Sequence, residues 1–232
     1  MKRYGKKYVE ASKKLDKAQL YTCEEAAKLV KETSITKFDS TVEVAIKLNI
    51  DAKKSDQQLR GSLKLPNGTG KSKTILVLAK GSQATEAKNA GADFVGDVDM
   101  IEKIEKENWF DYDVIVATPE MMPLLGKVGK LLGPKGLMPN PKTGTVTPNV
   151  AKAIEDIKSG MVAFKNDSYG NVHMIIGKVS FDAKKIAENL DFAIKSIAKL
   201  KPSTVKGQFI QNITVSSTMG PGIKVDKNLF DN

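Results

Sequence analysis

The residues able to do covalent or metal chemistry are few in this chain. It has one histidine, His173, and one cysteine, Cys23. A structural zinc site draws four ligands from Cys and His, so this inventory excludes one, and a single cysteine excludes an internal disulfide. Cys23 with His173 is the sole pair that offers a thiolate–imidazole nucleophile. Cys23 follows a helix-start signal and His173 falls in a strand. That reads as a small packed hydrophobe and a satisfied strand histidine. The segment NGTGKS (67–72) invites comparison with a phosphate-cradling loop. That loop needs a glycine where Leu65 stands, a strand before it and a helix after it, whereas here the apolar run TILVLA follows. The segment reads as a linker turn with a solvated Lys71. No catalytic residue, metal or cofactor is expected.

The more informative chemistry is cationic. LGPKGLMPNPKTGTV (132–146) holds Gly-Pro turns and further prolines that fix the backbone and stop helices and central strands. From Gly126 to Asn149 the lysines Lys127, Lys130, Lys135 and Lys142 meet no acid. A rigid loop with lysines and open backbone N–H groups suits a phosphate backbone; an ordinary surface loop fits the same letters. Acids gather instead between Asp93 and Asp113, so the charge is polarised. A second acid-free window runs from Asp191 to Asp226 and contains Lys195, Lys199, Lys201, Lys206 and Lys224. Within it, SSTMGPG (216–222) offers hydroxyls, glycine amides and a methionine, which can meet riboses and base edges or can simply turn the chain.

The elements that position these residues follow from periodicity. Thr22 with Glu25 forms a capping box, which predicts a helix over 23–31. TVEVAIKLNI (41–50) alternates apolar and polar residues, which predicts a strand with one free face carrying Glu43 and Lys47. TILVLA (74–79) and DVIVAT (113–118) are continuous apolar runs, as expected for strands covered on both sides. Helical patterns near 82–90, at MIEKIEKEN and at PLLGKVGKLL separate and follow them, with ADFVG as a short strand. After Ser159-Gly160 the style reverts: a strand over 172–180, a helix capped by Asp182 with Ile186, Leu190, Ile194, Ile197 and Leu200 on one face, a staple of Phe181 on Ile186, and a strand over 208–216. The economical arrangement is an α+β domain built from 1–68 and 160–232, with an α/β domain of 69–159 inserted. The opening segment carries Lys2, Arg3, Lys6, Lys7, Lys13 and Lys14 on a helix that is amphipathic at best.

A net charge of +10 over 232 residues favours a polyanionic partner. No apolar run is long enough to span a membrane, and the charged start lacks the apolar core of a secretory signal. A cytoplasmic protein without membrane contact is expected. Aromatics are 6% of the residues, and no aromatic pair marks the strands, so shape reading of folded RNA fits better than reading by stacked bases.

Three segments carry a family resemblance: KFDSTVEVAIKLNID (37–51), LLGPKGLMPNPKTGTV (131–146) and STMGPGIKVD (217–226). Their order and spacing over nearly the whole chain resemble the large-subunit ribosomal protein one family, bacterial type. The resemblance implies a split, ferredoxin-like first domain with an inserted Rossmann-like second domain. It implies binding to structured large-subunit ribosomal RNA at the mobile stalk near the transfer-RNA exit site, and repression of the chain's own operon messenger. The implied partners are that RNA, the operon messenger, exit-site transfer RNA and the ribosome, with a monomer when free. Carried onto matching positions, the RNA face uses Lys37, Phe38, Thr41, Glu43, Lys47, Lys165, Asp167, Ser168, Ser217, Thr218, Met219 and Gly220, with Tyr169 alongside. Phe38 reads equally as a core residue. Lys127, Lys130, Lys135 and Lys142 are implied as ribosomal RNA contacts of the second domain within the assembled ribosome. Two other readings remain at this point: an enzyme using the α/β domain for a nucleotide, and a basic protein with nonspecific RNA affinity.

Overall fold

A computed structural model describes residues 4–16 and 18–230; Lys2 and Arg3 of the basic opening lie outside them. The chain runs α1 (Lys6–Lys13), α2 (Cys23–Glu32), β1 (Thr41–Leu48), β2 (Arg60–Lys64), β3 (Ile75–Leu78), α3 (Ser82–Asn89), β4 (Phe94–Gly96), α4 (Val98–Glu107), β5 (Val114–Ala117), α5 (Met122–Leu125), α6 (Gly129–Leu132), α7 (Val150–Lys158), β6 (Met161–Lys165), β7 (Asn171–Lys178), α8 (Ala183–Lys199), β8 (Ile210–Ser217) and β9 (Ile223–Val225). This is a mixed α/β chain. It divides into two compact units: one takes the chain up to Gly70 and again from Val162, the other takes Lys71–Met161.

In the first unit the strands lie in the order β7-β1-β8-β9, each neighbour antiparallel. The alternation of β1 sends Val42, Val44, Ile46 and Leu48 to one face, all essentially buried. There they meet Ala26, Ala27 and Val30 of α2 and Ile186, Leu190, Ala193, Ile194 and Ile197 of α8. Burying one such side chain is worth roughly 1.5–3 kcal/mol. α2 begins with the expected capping box: Thr22 Oγ1 accepts from Glu25 N at 3.3 Å, and Thr22 N donates to the Glu25 carboxylate at 2.9 Å. These bonds to Thr22 hold the Glu25 carboxyl below its ordinary range. Asp182 occupies the N-cap position of α8, but its side chain makes no capping bond. Leu200 does not join the buried row. It stands at the C-cap, one residue past the helix, and is 44% exposed.

In the second unit β4, β3 and β5 form a parallel sheet. All four residues of β3 are buried. Ile75 and Val77 pack with α7 and the Ala87 side of α3, while Leu76 and Leu78 pack with Ile101, Ile104, Leu125 and Leu132 of α4, α5 and α6. A strand covered on both faces needs an unbroken apolar run. The β2–β6 ladder and helix α7 were not anticipated, although Val150, Ala153, Ile154 and Ile157 of α7 recur at helical spacing. β2 reads RGSLK, and its Gly61 packs closely on the Phe164 ring, where an added Cβ would stand 3.0 Å away.

Candidate nucleic-acid interface

The α-helices of the first unit cover one face of its sheet and leave the other open. On that open face β1 presents Thr41, Glu43, Ala45 and Lys47, and the register sets neighbours beside them. Ala45 lies between His173 of β7 and Thr214 of β8, Glu43 between Ile175 and Ser216, and Lys47 between Asn171 and Asn212. Lys224 of β9 pairs with Thr214. Ala45, the smallest of these β1 side chains, stands between His173 and Thr214.

The assigned residues fall into two groups at opposite ends of this face. Thr41 to Lys47 is six residue steps, roughly 20 Å of strand. At the first end two segments 177 residues apart in sequence are clasped. Thr218 N donates to Thr41 O at 3.0 Å, Thr218 Oγ1 donates to the same carbonyl at 3.2 Å, and Thr41 N lies 3.2 Å from Thr218 Oγ1. Lys178 Nζ donates to Thr41 Oγ1 at 3.2 Å and to Asp39 O at 3.3 Å. The Asp39 carboxylate in turn accepts from Ser180 N and Ser180 Oγ at 3.0 and 2.9 Å. The loop ahead of β1 is therefore fixed, and it holds Phe38 outward at 62% exposed. The core alternative for Phe38 is excluded.

Met219 is 72% exposed and sits at φ 64°. A left-handed conformation costs a non-glycine residue about 1–2 kcal/mol, and such strain collects at functional turns. Gly220 N closes the turn onto Ser217 O at 2.8 Å. A Cβ at Gly220 would collide with Ser217 Oγ. Ser217 itself is 4% exposed, and its hydroxyl has no partner. Its side chain lies on the covered side, in register with Val42, so the expected surface role is corrected to one beneath the turn. Parity along β8 carried that signal, since Ile213 and Val215 point the same way.

At the far end Lys47 Nζ donates to the Tyr169 carbonyl. Asp167 organises this turn: its carboxylate accepts from Tyr169 N at 2.8 Å, from Asn171 N at 2.7 Å and from Asn171 Nδ2 at 2.8 Å. The Asn171 bonds foremost hold its carboxyl below the ordinary aspartate value. Lys165 and Ser168 are exposed, and Tyr169 is 76% exposed. Asp167 thus shapes the turn, while its exposed neighbours are available to a partner.

The acid-free window is split by the fold. Lys195 and Lys199 ride on α8, in the layer that covers the sheet, and Lys195 pairs with Asp191 at 2.8 Å. Of that window's lysines, Lys224 reaches the open face. His173, Ile175 and Thr214 were missed, although alternation along 172–180 and 208–216 places them; Lys178 was missed because it comes beside Thr41 only through the register shift between Val42 and Glu43.

Cys23 and His173 do not form a pair. Cys23 begins α2, which covers the sheet, whereas His173 stands on the open face 3.9 Å from the Asp167 carboxylate. Burial, with Asp191 adding to it, pushes the Cys23 thiol up to about 12, which silences it as a nucleophile. The NGTGKS segment holds no phosphate cradle. Asn67 N donates to Asn189 Oδ1 at 3.0 Å, and Lys71 is held by Asp113 at 2.8 Å.

In the second unit Lys127, Lys130, Lys135 and Lys142 are all exposed. Asn140 braces their loop: its side chain accepts from Lys142 N at 2.8 Å, and its carbonyl accepts from Thr143 Oγ1 at 3.0 Å. Lys135 Nζ lies over the Phe110 ring, 3.9 Å from its centroid.

Comparison with known proteins bears on both units. The model of the Ribosomal protein L1p/L10e family matches residues 30–221. The chain is 60% identical over 214 residues to the large ribosomal subunit protein uL1 of Mesoplasma florum, covering 92% of this chain and 94% of that relative. The chain therefore belongs to the ribosomal protein L1p/L10e family.

Proposed function

We propose that this chain is a structural constituent of the large ribosomal subunit that grips folded large-subunit ribosomal RNA on the open face of its antiparallel sheet. In this reading the site is at the mobile stalk near the transfer-RNA exit site. The same surface represses the chain's own operon by binding a messenger element of like shape. The protein is a ribosomal component and not an enzyme; it acts in the cytoplasm on the ribosome and is a monomer when free.

The observation that carries the reading is the Thr41–Thr218 clasp, which sets exposed Phe38 and strained Met219 at one end of a face with small Ala45 at its middle. Folded RNA is recognised through riboses, phosphates and shape. Lys37, Lys47 and Lys178 serve phosphates. Glu43 accepts from a ribose hydroxyl, which selects RNA rather than adding affinity. Phe38 and Met219 pack on sugars, and Thr218 and Gly220 supply polar edge contacts. The first unit is the RNA-binding domain, built from 1–68 with 160–232 and ferredoxin-like in kind. The segment 69–159 is an inserted Rossmann-like domain whose Lys127, Lys130, Lys135 and Lys142 touch ribosomal RNA within the ribosome.

The test is a titration of large-subunit ribosomal RNA against transfer RNA as competitor, at about 50 and 200 mM salt. About five phosphate contacts lower affinity on the order of a thousandfold across that range. Met219→Asp removes the preference for ribosomal RNA while the fold survives. Equal affinity for both RNAs, or an unaffected Met219→Asp variant, would overturn the assignment.

A further inference from the structure

Helix α1 is left unused by the interface above. Of its eight residues only Ala11 is buried, so core packing does not account for its sequence. Just ahead of it Tyr4 stacks on Tyr8, with centroids 4.8 Å apart and planes 22° from parallel. Tyr4 is 60% exposed. Two grooves share Tyr8 and Ser12. One, of about 310 Å³, extends from Tyr4 past Val9 to Lys13. The other, of about 270 Å³, separates α1 from the segment Pro221–Lys224 and is lined by Leu15, Tyr21 and Ile223. That segment directly follows the Thr218–Gly220 turn, so the grooves are continuous with the candidate interface. Each has a lysine on its lining, Lys13 in the first and Lys224 in the second. Asp16 also lines the second groove, but its carboxylate already accepts from Ala18 N at 2.9 Å.

We propose that α1 and the β9 edge form a second RNA subsite, which takes an unpaired nucleotide flanking the folded element held at the turn. The Tyr4–Tyr8 stack offers a base-sized aromatic face, and Lys13 and Lys224 take the phosphates on either side. Two rings already stacked on each other lose little freedom when a base adds to them. Base–aromatic stacking is tolerant of sequence because every base has a π-face. This subsite thus adds affinity at a place where the strands themselves offer no stacking pair. The inference rests on the RNA-binding reading above, and its test separates the two.

The experiment uses the full chain and deproteinised large-subunit ribosomal RNA, with transfer RNA as competitor. Replacing both tyrosines, Tyr4→Ala with Tyr8→Ala, weakens binding about tenfold, and Tyr4→Phe with Tyr8→Phe restores it, because stacking does not need the hydroxyls. Lys13→Gln with Lys224→Gln lowers the slope of log affinity against log salt by about two. Circular dichroism and thermal unfolding stay at wild-type values, since the altered side chains lie outside the core. An alanine pair that binds within twofold of wild type, or a phenylalanine pair as weak as the alanine pair, overturns the subsite. If Met219→Asp loses binding while the tyrosine pair is silent, the subsite falls and the main interface stands. A wild-type chain that does not prefer ribosomal RNA sinks both.

Discussion

The two larger sheets of this molecule, four-stranded in the first unit and three-stranded in the second, solve opposite problems. The sheet of the second unit is parallel, and helices cover both its faces, so every residue of β3 is spent on packing. The sheet of the first unit is antiparallel and has helices on one face alone, so every second residue of β1 is free for another task. An antiparallel sheet can leave one face to solvent, whereas a parallel one built with helical crossovers cannot. In the first unit Glu43 and Lys47 therefore stand on a strand, where the ladder fixes their spacing, while Phe38 and Met219 stand in the loop and turn at its end. In the second unit Lys130 stands on α6, and Lys142 stands beside Asn140, which braces its loop.

An alanine scan along the two strands gives the largest contrast. Ile46→Ala costs about 2–5 kcal/mol, while Glu43→Ala and Lys47→Ala stay within about 0.5 kcal/mol. Along β3, Leu76→Ala and Leu78→Ala, and their neighbour Ile75→Ala, all cost about 2–5 kcal/mol. Urea unfolding measures both. A period of two in β3, or its lack in β1, would break the comparison. Next in size is Thr218→Val, which removes the hydroxyl side of the clasp. It costs about 1 kcal/mol of stability and lowers RNA affinity by at least tenfold, read by filter binding. Smaller again is the charge test: Lys47→Gln lowers the salt slope by about one, whereas Lys127→Gln, Lys130→Gln and Lys142→Gln leave binding of isolated RNA within twofold.

Acid sensitivity gives the smallest effect. Asp167 in the first unit and Asp113 in the second both have carboxyls held below the ordinary 3.8. The Asn171 hydrogen bonds lead for the first, and the Lys71 hydrogen bond leads for the second. A depressed folded value means a contribution that is full above 3.8 and is lost as pH falls through the lower folded value. Asp167→Asn and Asp113→Asn therefore each flatten the fall in urea midpoint below about pH 4. Variants that lose stability with acid as steeply as wild type would contradict this.

Much of the division was legible from period alone. Alternation in TVEVAIKLNI told which face of β1 was free, and the unbroken run TILVLA told that β3 had none. The capping box at Thr22 located the start of α2 because its hydrogen bonds are local. What period could not tell was which residues from distant segments meet. Thr41 and Thr218 lie 177 positions apart and are joined by register, and their association came from family resemblance instead. Ser217 was placed on the RNA face by the family resemblance, whereas the parity of β8 sends it inward. The lysines between Asp191 and Asp226 looked like one patch because composition ignores layers; α8 and β8 share the window and point to opposite sides. β2 and β9 escaped notice because RGSLK carries little apolar pattern and a strand of three residues carries almost none.

Amide chemical-shift mapping of the full chain, as a large-subunit ribosomal RNA fragment is added, tests the central claim most directly. The open-face account predicts perturbations gathered at Lys37–Lys47, at Asp167–Ile175 and at Thr214–Gly220, with α2 and α8 silent. Perturbations confined to α2 and α8, or to the Lys127–Lys142 loops with β1 unmoved, would contradict it.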